Sequence, residues 1–242
     1  MRTLVLSMDT EKGKSRRDLL NYEYEWVKAI DCPEKYKSKF NFRWNTRDSL
    51  KTGIMNCFAG HLHIMEKIIN EKINDCLVCE DDAFMIWDKE GIDTYQINEI
   101  CLFSGRLHHP TSWKLDCKWR KEVLPTIINS FSNGVNKIDY EKYRWGGTAA
   151  IYYPTWEQVK KLYDSIVTVN NGYKHFDIYL ANNRLINHLY YPSPLVAIDC
   201  LNEKKEFGSR SSNSQIGEAQ GIVLNYEMSK DPKIFEEIKH LI

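Results

Sequence analysis

The sequence carries no surplus of charge: 33 Lys and Arg residues face 33 Asp and Glu, and the formal net charge is zero. This excludes the domain-wide positive field that draws phosphate backbones to dedicated nucleic-acid binders, so no nucleic-acid partner is expected. Long apolar runs are also missing. Nowhere does the chain approach the roughly 18 apolar residues that a membrane-spanning helix needs, so no span is expected. Near Met1 the apolar stretch is cut off by Asp9, too early for a signal-peptide core. A disulfide framework is equally absent. The seven cysteines are odd in number, scattered and mostly set in apolar runs, which predicts reduced thiols and a cytoplasmic protein.

What is present is an ordinary globular balance, with 43% hydrophobic, 27% charged and 12% aromatic residues in 242. There are no internal repeats or low-complexity tracts, and strands alternate with helices along the chain. The pattern predicts an α/β fold in a single domain, a mostly parallel central sheet flanked by helices, with its ligand beyond the carboxyl ends of the strands.

Residues 3–8 read as a first strand opening into a polar surface loop over 9–17. Leu19, Trp26, Val27 and Ile30 recur at helical spacing and predict an amphipathic helix over 17–30, stopped by Pro33. A stronger stripe, Ile54, Phe58, Leu62, Met65, Ile68, Ile69 and Ile73, predicts a long helix over 54–73. Cys76-Leu77-Val78-Cys79 reads as a central strand covered on both faces. Further strands are expected at 100–103, 149–153, 189–191 and 195–198. Thr155 and Gln158 form a capping box opening a helix, and 177–186 looks helical. Residues 202–221 read as a mobile loop and 231–242 as a terminal helix.

Glu80-Asp81-Asp82, at the end of the buried strand, is the sharpest feature. Crowded like charges raise one another's pKa unless a cation or hydrogen-bond donors compensate them. In an extended segment residues i and i+2 point the same way, so Glu80 and Asp82 can converge on one ion while Asp81 points elsewhere. Hard oxygen ligands suit Mg²⁺ or Mn²⁺, which commonly bind substrate phosphates as well. A solvated acidic turn is the plain alternative.

The stretch Gly53-Ile54-Met55-Asn56-Cys57-Phe58-Ala59-Gly60-His61, its long helix, and Glu80-Asp81-Asp82-Ala83 resemble glycosyltransferase family 25, the lipopolysaccharide-type sugar transferases. Gly53, Cys57, His61 and the acidic block match the family pattern. Ile54, Asn56 and Gly60 stand where that pattern has Glu, Gly and Ser. Gly147-Thr148-Ala149-Ala150-Ile151-Tyr152, Phe176-Asp177-Ile178 and Tyr191-Pro192 are similar to its later motifs.

The resemblance implies a Rossmann-like GT-A fold binding a nucleotide sugar, most simply a UDP-sugar, and transferring the sugar to a glycan or glycoprotein acceptor. On this basis residues 1–105 are expected to bind the nucleotide sugar and 106–242 to form the acceptor side. Asp82 and Glu80 are the expected metal ligands, with Glu80 also oriented to the ribose or a metal-bound water. Asp81 is expected to accept hydrogen bonds from the sugar, and Arg16 and Arg17 to grip the diphosphate or base. A solvated helix start accounts equally well for the two arginines.

Asp177 is the expected general base. Its apolar neighbours would raise its pKa, although a helix N-cap is the competing role. His61 is expected to be a hydrogen-bonded interface residue, and Trp145 is read as core or as a sugar-stacking platform. Two other functions fit the same residues: a metal-dependent nuclease or phosphohydrolase, and a carbohydrate-binding module without chemistry.

Overall fold

The computed structural model describes residues 1–42, 48–85, 92, 94–111 and 117–197. The expected loop at 202–221 and helix at 231–242 lie outside the described residues.

β1 (Arg2–Ser7) runs into α1 (Glu11–Arg17), followed by β2 (Glu25–Lys28), the short α2 (Glu34–Lys37) and α3 (Asp48–Glu71). β3 (Cys76–Glu80) and β4 (Ala83–Met85) come next, then β5 (Cys101–His108), α4 (Cys117–Glu122) and α5 (Leu124–Asn129). β6 (Gly134–Lys137), β7 (Arg144–Tyr153), α6 (Trp156–Val167), α7 (Phe176–Asn182), β8 (His188–Tyr191) and β9 (Leu195–Ala197) complete the described chain.

Seven strands form one sheet in the order β2-β1-β3-β7-β5-β8-β6, and β4 pairs with β9 in a separate ribbon. β1 is parallel to β2 and β3, and β5 is parallel to β8. β7 is antiparallel to both β3 and β5, and β6 is antiparallel to β8. The strands β2, β1, β3, β5 and β8 therefore share one direction, against β7 and β6. The sheet is mostly parallel within a mixed α/β fold.

The expected helix over 17–30 is not formed. Thr10 caps α1 by accepting from the Gly13 amide at 3.1 Å, so the helix occupies the stretch expected to be a loop. Residues 25–28 instead pair as the edge strand β2. The apolar spacing misled because Leu20, Tyr22 and Tyr24 pack on the core beside β4 rather than along a helix. Pro33 begins α2 rather than ending a helix.

The long stripe forms α3, with Ile54, Phe58, Leu62, Met65 and Ile68 buried against the sheet. Burying each such side chain contributes about 1.5–3 kcal/mol. On that helix face Phe58 stacks on Tyr173 at 4.3 Å and meets Phe176 edge-on at 5.1 Å, which ties α3 to the start of α7. Thr155 caps α6 as expected, while α7 ends at Asn182, short of 186. Cys76 and Cys79 are both buried in β3, and burial pushes the Cys76 thiol up to about 12. Trp145 is buried in the core and its indole N–H donates to the Tyr140 hydroxyl, so it offers no stacking surface. None of the described helices is long and apolar enough to cross a membrane.

Candidate active-site cleft

β1 and β3 end side by side, with Leu6 paired to Glu80. Because β7 runs the opposite way, its early residues Gly146, Gly147 and Thr148 come to the same end of the sheet. There a cleft of about 790 Å³ opens, with all three carboxylates of Glu80-Asp81-Asp82 in its wall. Arg16, Cys57 and Asp177 line it too.

β3 ends at Glu80, and Asp81 and Asp82 form a turn into β4. The expected alternation of an extended strand therefore does not govern the acidic block. Asp81 is buried. Its Oδ2 accepts from Ser7 Oγ at 2.7 Å and its Oδ1 pairs with Arg16 Nη1 at 3.0 Å. Burial raises the Asp81 pKa above the ordinary carboxylate value, and Arg16 and Ser7 offset only part of that rise.

Glu80 turns to another set of partners. Its Oε1 accepts from Thr148 Oγ1 at 2.7 Å and lies 3.1 Å from Nε2 of the fully buried His61. A carboxylate can only accept, so this contact places the imidazole proton on Nε2. The His61 ring is held flat against Phe176, with ring centroids 4.2 Å apart.

The two arginines sit in the last turn of α1 and are buried rather than solvated. Arg16 lines the cleft with its guanidinium on Asp81. Arg17 is not among the lining residues. It donates to Ser7 Oγ at 2.6 Å and to the Met8 carbonyl at 2.9 Å, and stacks 4.1 Å from the centre of the Trp26 ring. Arg17 thus braces the turn at the end of β1, while Arg16 holds the acidic turn beside it. The close approach of α1 to that turn requires glycine at position 13, where a Cβ would lie 2.2 Å from the Met8 carbonyl oxygen.

Asp177 enters from the first turn of α7, which packs on α3 through Phe176. It is not the N-cap, a position held by His175. Its Oδ2 accepts from the Gly147 amide at 2.8 Å and its Oδ1 from the Ile178 amide at 2.8 Å. Gly147 has φ +89°, a backbone conformation that glycine supplies without strain, and this turns its amide toward α7.

Sequence reasoning had assigned no role to Ser7 or Thr148. The available signal was strand position: Ser7 ends β1, and Thr148 follows the two glycines of β7. Asn56, at one of the departures from the family pattern, lines the cleft, accepts from the Cys32 amide at 2.9 Å and donates to Asp31 at 2.8 Å.

The cleft lies beyond the ends of β1 and β3, where open α/β sheets carry their ligand sites. The chain belongs to glycosyltransferase family 25 (LPS biosynthesis protein), whose family model matches residues 2–171. No curated protein matches the chain. The match includes α1, the acidic turn, Thr148 and the whole of α6, and stops before Asp177.

Proposed function

We propose that the cleft binds a nucleotide-diphosphate sugar, most simply a UDP-sugar, together with Mn²⁺ or Mg²⁺, and transfers the sugar to a hydroxyl of a glycan or glycoprotein acceptor. The observation that supports this most is the gathering of Asp82, Glu80 and Asp177 in one cleft from separate elements of a family 25 chain.

The donor set fits a hard divalent ion, since the carboxylates of the acidic turn offer oxygen ligands. Asp81 is neutralised by Arg16, so Asp82, with Glu80, is proposed to hold the ion. When bound, such an ion supplies positive charge against the departing diphosphate. Glu80 is held in place by Thr148 and His61 and is suited to orient the ribose or a metal-bound water. Arg16 and Asp81 form the cleft wall on the nucleotide side, and Arg17 supports that wall from behind through Ser7. Residues 1–105 thereby supply the donor side, and 106–242 the acceptor side with Asp177.

Asp177 is proposed as the base that takes the proton from the acceptor hydroxyl, its carboxylate aimed by the amides of Gly147 and Ile178. The test is an assay of nucleoside diphosphate release from a panel of nucleotide sugars, with Mn²⁺ and glycan acceptors. Acceptor-dependent release supports the proposal. Cleavage of phosphate esters without sugar transfer would replace it with a phosphohydrolase.

A further inference from the structure

Cys57 and His61 are one helical turn apart on α3, a spacing that puts both side chains on one face. That face meets the end of β3, where Glu80 stands. A sulfur of Cys57, a ring nitrogen of His61 and a carboxylate oxygen of Glu80 all lie within 4.8 Å of one another. Glu80 is shared with the hard-ion proposal, but Cys57 and His61 are not hard-ion donors. Sulfur and imidazole nitrogen favour zinc and its softer neighbours over manganese or magnesium.

We infer that Cys57, His61 and Glu80 form a second cation site, selective for Zn²⁺ or a similarly soft divalent ion, in the wall of the cleft.

Four observations support this. First, the 3.1 Å between His61 Nε2 and Glu80 Oε1 is already close to the edge of about 3.3 Å between nitrogen and oxygen ligands of tetrahedral zinc. The Cys57 sulfur needs to close by up to about 1.3 Å to reach the sulfur edge of about 3.5 Å, within reach of a side-chain rotation. Second, the charges balance: one thiolate and one carboxylate neutralise a divalent ion, which a partly buried site requires. Third, the imidazole and carboxylate are oriented beforehand, His61 by stacking on Phe176 and Glu80 by the Thr148 hydroxyl, as ligands of protein metal sites usually are. Fourth, Cys57 and Glu80 both line the cleft, so the fourth position opens to solvent or substrate.

The proton balance is simple. Cys57 loses its thiol proton to solvent as the metal–sulfur bond forms. For Nε2 to bind the ion, its proton must leave that atom, with Nδ1 carrying the remaining ring proton, so that the Nε2 lone pair faces the ion. The shift gives up the Nε2–H bond to Glu80 and leaves the buried Nδ1–H without an acceptor among the described residues, a cost that the metal bonds must exceed. Occupancy engages Glu80 and is expected to inhibit any function in which Glu80 touches a donor.

This inference goes beyond the glycosyl-transfer proposal and is tested without nucleotide or acceptor. The full chain, stripped by a chelator, is titrated with Co²⁺ as a spectroscopic stand-in for Zn²⁺. One equivalent is expected to give the near-ultraviolet thiolate-to-cobalt band, and Zn²⁺ to bleach it. Cys57→Ser is expected to abolish the band. Glu80→Gln, which leaves the sulfur in place, is expected to weaken cobalt binding by more than about 100-fold, since an inner ligand is worth more than an outer one. Asp82→Asn is expected to retain the band. No band in the native chain, a band that survives Cys57→Ser, or undiminished affinity in Glu80→Gln would overturn the inference. Each of these outcomes leaves the donor proposal standing.

Discussion

Arg16 Nη1 lies 3.0 Å from Asp81 Oδ1, and the pair is buried where α1 meets the acidic turn. Two charges withdrawn from water attract strongly, but each has given up hydration, and removing one partner exposes the full cost for the other. Arg16→Met is therefore expected to lower unfolding free energy by about 3–5 kcal/mol, measured by urea denaturation. Asp81→Asn is also expected to destabilise the fold, because it takes the Asp81 carboxylate from the buried Arg16 guanidinium, which cannot lose its charge.

The same pair sets a pH dependence. The Asp81 pKa is raised in the folded state, with burial as the main cause, so near its titration the native protein binds more protons than the unfolded chain. The stabilising contribution is full below the ordinary carboxylate pKa and is lost as pH rises through the elevated folded value. Subtracting the stability of Asp81→Asn from that of the native chain across acidic pH isolates this term. A difference that falls with rising pH is expected; one that grows would mean that Arg16 outweighs burial.

Gly13 is the tightest backbone contact beneath this arrangement. Gly13→Ala places a methyl group 2.2 Å from the Met8 carbonyl oxygen, where only backbone movement can make room. Overpacking of this kind costs about 1–3 kcal/mol. The expected result is a lower melting temperature together with weaker nucleotide binding, because α1 carries Arg16. An unchanged melting temperature would show that α1 is not held as described.

Much of the fold was legible in the sequence because its signals were strong and redundant. The stripe from Ile54 to Ile68 could be nothing but a buried helix face, and Thr155 with Gln158 marked the start of α6. Residues 17–30 misled for a physical reason: apolar residues in an edge strand and in a turn packed on the core can fall at helical spacing by coincidence. For the cleft, the acidic block and Asp177 were visible as charges at element ends. His61 was legible as a hydrogen-bonded interface histidine, though its partner Glu80 was not. Ser7 and Thr148 were not, because their roles arise only where β1, β3, β7 and α3 converge. Asp81 could be seen but its ion pair could not, since Arg16 lies 65 positions away in the chain.

Asp177→Asn probes the acceptor side. The amide retains one oxygen for the Gly147 or Ile178 N–H but can no longer take a proton. Acceptor-dependent turnover is expected to fall by about 10²–10⁴-fold while the dissociation constant for nucleoside diphosphate barely changes. Enzyme kinetics and calorimetry together check this. Undiminished turnover would remove Asp177 from the role of base.

The central claim is that the carboxylates beyond β3 hold a divalent ion and, through it, a nucleoside diphosphate. Thermal unfolding of the native chain and of Asp82→Asn, with UDP and Mn²⁺ separately and together, tests it most directly. At a nucleotide concentration about 100 times its dissociation constant, mass action adds about 2.7 kcal/mol. For a chain of this size that corresponds to a rise of about 5–10 °C. The account predicts that rise for the native chain only when both ligands are present, and its loss in Asp82→Asn. Equal shifts in the two proteins, or no shift in either, would contradict it.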